Sequence, residues 1–210
     1  MYSANWKKGF LSVMFILIGA VSLLSFNRST ATLAQSDAVF IREVRVLETE
    51  QTGVQNPVGL AFSPRGNAFH VIKGQERGQP PTAVTDIVKL SAYGEQSGSA
   101  RITAAIKDPI NVAYDQQFGR LLIFQSPNNH LLEVHENANG DLDPRTMIRH
   151  DVRHFGLQNP QGMAVDPLSG QLFILDAVGP QLVQVQPDAD GTFERAVITR
   201  IDLLLHFLPV

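Results

Sequence analysis

NPQGMAV, at residues 159–165, is the clearest copy of a motif that this chain carries three times. The other copies are DPINVAY at 108–114 and NPVGLAF at 56–62, and the three prolines lie 52 and 51 residues apart. A constant period of this length indicates a repeat architecture, in which each repeat is one supersecondary unit that stacks on the next.

Each copy continues with a glycine-containing turn and a second short apolar run, at residues 68–72, 121–124 and 172–175. Short runs bounded by turn residues are typical of buried strands. A third run follows, and then Asn139-Gly140 or Asp190-Gly191, dipeptides that favour tight hairpins and again lie 51 residues apart. With a closing fourth run, the sequence predicts an all-β fold of β-propeller blades, each with four antiparallel strands.

The chain has room for about three such blades, whereas propellers have four to eight. The predicted blades span 54–105, 106–156 and 157–204, with a leading outer strand and linker at 35–53 and an apolar tail at 205–210. We therefore expect an incomplete six-bladed ring. Three explanations stay open: a fragment of a longer surface protein, two copies that pair into one ring, and a stable open array of three blades.

Two segments of the chain carry a family resemblance. Residues 160–185 contain PQGMAVDP, GQLFILDA and QLVQV, and the second copy contains Asn129-His130-Leu131. Through these motifs, residues 54–204 resemble the NHL-repeat propellers, with the gluconolactonase/regucalcin-like propellers as relatives. The resemblance implies a six-bladed β-propeller and, for the gluconolactonase-like enzymes, a divalent metal held by acidic and amide side chains. At the matching positions this chain has Lys73, Gln125 and Asp176, so only the third copy is acidic.

The N-terminus has the pattern of an export signal. Lys7 and Lys8 precede an apolar run at 10–26, and Ala34 ends a stretch of small and polar residues. This order is typical of a secretory signal. We predict that residues 1–34 are a signal peptide or signal anchor. The protein is then exported to the periplasm or the extracellular space, with 10–26 as its membrane anchor if the signal stays uncleaved.

Net charge and cysteine content exclude several functions and modifications. With a net charge of −3 at pH 7, the chain lacks the basic surface that nucleic-acid binding requires. It has no cysteine, so disulfides and a lipoprotein anchor are both excluded.

Three polar residues are predicted to face a ligand. Asn111 and Gln161 are predicted to precede first strands, and Asp176 to end a second strand. Because propellers bind ligands at loops carried by rigid strands, these residues are our candidates for the binding surface. The alternative is that Asp176, like Asp115 and Asp166, only caps a turn.

Two other patterns are weaker. His150 and His154 have the i, i+4 spacing of zinc ligands on a helix, but they fall in a predicted loop and are interpreted as solvated histidines. Residues 137–143 and 188–191 resemble pieces of a calcium loop, but they coincide with predicted hairpins and are interpreted as turns. The sequence shows no Ser/His/Asp order and no phosphate-binding glycine loop.

These observations favour a non-catalytic binding or scaffold module, with a protein, glycan or small ligand bound on one loop face. We predict no catalytic residue, no cofactor and no metal site. The alternative is a metal-dependent lactone hydrolase of gluconolactonase-like type, with calcium or another divalent metal. Contact with a membrane is expected only through an uncleaved N-terminal segment. Self-association of two copies is a further expected interaction, because it would complete a ring.

Overall fold

The computed structural model describes residues 52–75, 83–106 and 110–203. The predicted signal, the leading outer strand and the apolar tail lie outside these residues. Within them, the chain forms three four-stranded antiparallel sheets, each with its strands side by side in chain order. This confirms the predicted all-β fold of three propeller-type blades.

The strands of each blade follow one another closely along the chain. Blade 1 contains β1 (Pro57–Ser63), β2 (Ala68–Lys73), β3 (Thr85–Ser91) and β4 (Gln96–Ile102). Blade 2 contains β5 (Ile110–Asp115), β6 (Arg120–Gln125), β7 (His130–His135) and β8 (Ile148–Asp151). Blade 3 contains β9 (Pro160–Val165), β10 (Leu172–Asp176), β11 (Gln181–Gln186) and β12 (Val197–Asp202). Single turns of 3-10 helix occur at Ser126–Asn128, Pro144–Thr146 and Arg153–Phe155.

The β6 strand shows why the second apolar run of each copy is unbroken. All six of its residues are buried. Leu121 and Ile123 belong to the core shared with blade 1, whereas Leu122 and Phe124 belong to the core shared with blade 3. Because successive side chains of a strand point to opposite faces, a strand between two neighbouring blades needs apolar residues on both.

Two apolar cores therefore join the blades, and we name them junction 1–2 and junction 2–3. At junction 1–2 the fully buried side chains include Ile72, Ile87, Ile102, Leu121, Ile123 and Leu132. At junction 2–3 they include Leu122, Phe124, Leu131, Leu172, Phe155 and Phe193. Each such side chain contributes about 1.5–3 kcal/mol through burial, so the junctions are the main source of stability between blades.

The two ends of the blades are named for what they carry. At the Pro160 end, first strands begin and second strands end, since Pro160 pairs with Asp176. At the opposite, hairpin end lie the turns between first and second strands and the hairpins between third and fourth strands. The first strands of neighbouring blades contact one another, β1 with β5 and β5 with β9.

The hairpin end is packed tightly around two glycines. Gly140 and Gly191 have φ of 72° and 81°, as expected for the predicted turns. A Cβ on Gly140 would lie 2.9 Å from the Gly66 Cα of blade 1, and a Cβ on Gly191 would lie 2.7 Å from the Phe118 ring of blade 2. The hairpin of each later blade thus packs on the first turn of the blade before it.

Candidate functional site

The three predicted ligand-facing residues come together around Pro160. Asp176 is the strand partner of Pro160. Asn111, on the neighbouring blade, donates from Nδ2 to the Pro160 carbonyl oxygen at 3.3 Å. Gln161 follows Pro160 in the chain and is exposed. The structure therefore places all three at one end of blades 2 and 3, and their binding role stays a prediction.

Asp176 itself is fully buried, and backbone groups occupy its carboxylate. Its oxygens accept N–H groups from Gln158 and Asn159, each at 2.8 Å, and from Val178 at 3.3 Å. Burial alone would raise the pKa of Asp176, but these backbone hydrogen bonds hold it below its usual value. Asp176 thus fixes the segment that leads into β9, as a turn-capping aspartate does.

Two of the accessible side chains at this end are amides, and we name them the amide rim. Gln161 donates from Nε2 to Asn159 Oδ1 at 2.7 Å, and both residues are exposed. An amide offers a donor and an acceptor without net charge, so this rim suits peptide groups and hydroxyl groups equally well.

Junction 1–2 contains a buried polar group that the sequence analysis did not identify. The Nε2 atom of His70 lies 2.8 Å from Glu136 Oε1, and the Tyr114 hydroxyl donates to Glu136 Oε2 at 2.6 Å. Burial and the bond to Glu136 raise the pKa of Tyr114 to about 12. Burial would raise the pKa of Glu136, but hydrogen bonds from His70, Tyr114 and Ser63 lower it below the usual value.

A second polar group lies at junction 2–3 and centres on Glu133. Its carboxylate accepts Arg120 Nη1 at 2.9 Å and lies 2.9 Å from His150 Nε2 and 2.5 Å from His135 Nε2. Burial would raise the pKa of Glu133, but the bonds from His150, Arg120 and His135 lower it to about 2. One carboxylate therefore holds three basic side chains together.

The position of His150 corrects our interpretation of a solvated loop histidine. His150 lies on β8 and is only 5% exposed. Its Nδ1 atom is 2.8 Å from Glu194 Oε1 of blade 3. The hydrogen bond with Glu133, opposed by burial and supported by Glu194, raises the pKa of His150 above its usual value. His150 thus connects two blades, whereas His154 is exposed and lies 3.1 Å from the Phe193 carbonyl oxygen.

Arg120 is the buried cation of the same group. Its Nε donates to Asp115 at 2.9 Å, and its guanidinium lies 4.7 Å from the Phe118 ring centroid and 4.9 Å from that of Phe193. Its Nη2 atom is buried without a hydrogen-bond partner. The cation is held by two carboxylates and two aromatic faces, which is a structural arrangement between blades.

No group of three or more His, Asp or Glu side chains is placed to hold a metal ion in the described residues. The segment that resembles a calcium loop is a turn, as interpreted from the sequence: Asn137 Oδ1 accepts the N–H groups of Asn139 and Asp141. None of the helices in the described ranges is long and apolar enough to cross a membrane.

One face of blade 1 is apolar and partly uncovered. Leu60 and Phe62, which point away from blade 2, are 59% and 42% exposed. Leu60 borders an apolar pocket of about 280 Å³ formed with Val54, Phe69 and Leu90. The Phe62 ring packs beside that of Phe69, with centroids 5.2 Å apart. In other proteins, exposed apolar patches are often interaction sites.

Comparisons with known proteins show similarity only at the level of shape. No protein-family model matches the chain, and no curated protein matches it. A solved luciferin-regenerating enzyme is 11% identical, with 68% of this chain covered, 45% of that chain covered and a TM-score of 0.49. A chain of a nidogen/laminin complex is 20% identical, with coverages of 70% and 49% and a TM-score of 0.47. A protein of unknown function from Bacteroides caccae is 12% identical, with coverages of 70% and 61% and a TM-score of 0.39.

The chain thus spans about half the length of the first two solved chains that it resembles. At these TM-scores the resemblance carries no argument about function. The assignment of propeller blades rests on the three four-stranded sheets themselves.

Proposed function

We propose that this chain is an exported, NHL-like propeller module that binds a partner at its Pro160 end without catalysing a reaction. The observation that supports this function is the fixed backbone beneath an accessible amide rim. Asp176 accepts the backbone N–H groups of Gln158 and Asn159, which holds the segment 158–161 in place. Asn111 ties the same segment to blade 2.

A site built in this way needs little ordering when it binds, and such preorganisation strengthens association. Gln161 and Asn159 are accessible and uncharged, so the ligand class is a protein backbone, a glycan or a small neutral molecule. The lactone-hydrolase alternative requires a bound divalent metal. Titration of the full chain with calcium and zinc by calorimetry, followed by a lactone hydrolysis assay, separates it from the binding function.

The test of the binding function is a glycan and peptide array probed with the full chain and two variants. Gln161→Ala removes an exposed amide and leaves the buried bonds intact, so we expect binding to weaken about tenfold, equivalent to about 1.4 kcal/mol, with unchanged thermal stability. Asp166→Asn, at the hairpin end, is the control. Binding that is insensitive to Gln161→Ala, or that is lost equally in the control, would contradict the proposal.

The uncovered face of blade 1 supports a second proposal, that this face packs against a further propeller blade. Leu60 and Phe62 are proposed to pack against another blade, supplied by a longer surface protein or by a second copy that completes the ring. Light scattering on the full chain distinguishes the two sources: a second copy gives twice the 23.1 kDa of one chain. A soluble monomer in which Leu60 and Phe62 stay exposed would count against both sources of the additional blade.

A further inference from the structure

A cavity of about 210 Å³ lies at junction 1–2, between the outer strands of blade 1 and the hairpin of blade 2. Its walls include His70, Lys89, Asp141 and the backbone of Gly98. It is located toward the hairpin end, because Lys89 pairs with Gly98 near the end of β3. The cavity is therefore distinct from the amide rim at the Pro160 end, and an inference about it goes beyond the proposed function.

The cavity exists because two side chains are smaller here than at junction 2–3. In blade 1, Ala100 pairs with Ile87. In blade 2, His150 pairs with Leu131, so Ala100 and His150 occupy equivalent positions. Leu142 is likewise equivalent to Phe193, since the two residues are 51 positions apart.

At junction 2–3 the larger residues fill the corresponding space. The rings of His150 and Phe193 pack edge-to-face with centroids 5.6 Å apart. Alanine and leucine cannot fill that volume, so junction 1–2 is left with a cavity where junction 2–3 is packed.

The walls of the cavity are polar and charged, which separates it from a simple packing defect. Lys89 Nζ lies 2.8 Å from Asp141 Oδ1, and the Lys89 side chain is only 12% exposed. His70 is 1% exposed and lies 2.8 Å from Glu136 through Nε2. Apolar cavities stay dry, whereas a cavity with polar partners takes up water or a polar ligand.

We propose that this cavity binds a small neutral polyhydroxy compound, namely a single sugar unit. An anion would lie beside the Asp141 carboxylate, and a cation beside the Lys89 ammonium, so each would meet a like charge. A pair of adjacent hydroxyl groups meets no such conflict, because one accepts from Lys89 while the other donates to Asp141. The apolar face of a sugar ring can then pack on Ile87 and Leu142.

The direct test is nuclear magnetic resonance on the full chain, held in a detergent without a sugar headgroup. D-glucose, D-galactose and N-acetyl-D-glucosamine are the probes, with acetate and L-alanine as the anionic and zwitterionic comparisons. We expect at least one sugar to shift the backbone amide signals of Gly98 and Leu142 in the millimolar range, with no shift from acetate or alanine. Shifts from acetate or alanine alone, or no shift from any sugar, would overturn the proposal.

Two variants test the site itself. Gly98→Leu fills the cavity, and its Cβ would meet only ordinary contacts, with Asp141 Oδ1 at 3.6 Å and Lys89 Cβ at 3.7 Å. Lys89→Met keeps the length of the side chain and removes the donor. Each should weaken sugar binding about tenfold or more, equivalent to about 1.4 kcal/mol, while Arg195→Ala, 84% exposed on blade 3, should not. Full binding by a folded Gly98→Leu chain would place the sugar elsewhere and reject this site.

Discussion

Junctions 1–2 and 2–3 connect equivalent strands of neighbouring blades, yet they are filled in different ways. At junction 2–3 the rings of Phe193 and His150 occupy the space beside Arg120, which is buried with its carboxylate partners. At junction 1–2 the equivalents of the two rings are Leu142 and Ala100, and a cavity of about 210 Å³ is left. The polar group there has one carboxylate, Glu136, held by an imidazole and a hydroxyl.

This difference shows that the strand pairing within each blade does not depend on which side chains fill the space between blades. The blades keep the same strand order and the same hairpins, whatever packs between them. Junction 2–3 depends on a buried ionic group, so changes of charge and pH should disturb it most. Junction 1–2 has room for a ligand, so its stability should respond less to the loss of one side chain.

The largest expected loss of stability comes from Arg120→Met. The change removes the cation from two buried carboxylates, Asp115 and Glu133, which are 0% and 5% exposed. Breaking a buried ion pair on one side leaves uncompensated charge, so we expect the free energy of unfolding to fall by about 4 kcal/mol. Urea denaturation measures it, with Arg145→Met as an exposed control that should resemble wild type. A loss no larger than that of the control would show that the ionic group contributes little.

Phe193→Ala should have the next largest effect. The ring is fully buried at junction 2–3, and its removal should cost about 3 kcal/mol and open a cavity like that of junction 1–2. The equivalent change Leu142→Ala should cost less, about 2 kcal/mol, because the side chain already borders a cavity. Thermal denaturation of both variants provides the measurement. Equal losses would mean that the two junctions are packed to the same degree.

Alanine at the two hairpin glycines should lower stability by different amounts at the two junctions. Gly140→Ala combines a positive φ with a Cβ only 2.9 Å from backbone, the Gly66 Cα, so we expect a loss of about 2 kcal/mol. Gly191→Ala has a similar φ, but its Cβ would meet the movable Phe118 ring, and a loss of about 1 kcal/mol is expected. Urea midpoints of the two variants compare them, and the reverse order would refute the role of the backbone contact.

The smallest effect is the pH dependence of stability that His150 and Glu133 produce at junction 2–3. The pKa of His150 is raised above 6.5, so its contribution is complete below pH 6.5 and is lost as pH rises through the raised value. The pKa of Glu133 is lowered from 4.5 to about 2, so its contribution is complete above pH 4.5 and is lost as pH falls toward 2. This group should therefore be most stabilising between pH 4.5 and 6.5.

The measurement is the free energy of unfolding against pH for wild type and His150→Gln. The variant should lose the decline above pH 6.5 that His150 produces in wild type. Identical alkaline profiles for the two proteins would show that His150 does not connect the blades in this way.

The sequence predicted the blades well, because their signals are local. The apolar runs and the glycine of each hairpin fall within about fifty residues and repeat, and β2, β6 and β10 appear where those runs lie. The fourth strand of blade 1 was harder to predict, because it begins at Gln96, four residues before the first apolar side chain of that segment, Ala100. Its first residues are polar or small, and pairing with β3 determines their structure more than their own propensity.

The polar groups between blades were harder to predict, because their partners are distant in the chain. His150 contacts Glu133 and Glu194, which are 17 and 44 positions away, so its local pattern suggested only a loop. One signal was present: His70 interrupts an apolar run at a position where the other copies have Leu122 and Phe173. A buried histidine in an otherwise apolar strand requires a partner, which here is Glu136 of the next blade.

The ion pair of Lys89 with Asp141 also bears on how the chain assembles. Lys89 and Glu133 occupy equivalent positions on blades 1 and 2, and Asp141 and Thr192 are equivalent on the hairpins of blades 2 and 3. Blade 2 docked onto another blade 2 would bring Glu133 toward Asp141, and two carboxylates repel. Blade 1 docked onto blade 3 would bring Lys89 beside a threonine. Since similar repeats are prone to misassembly during folding, this order of charges distinguishes each blade's correct neighbour from the others.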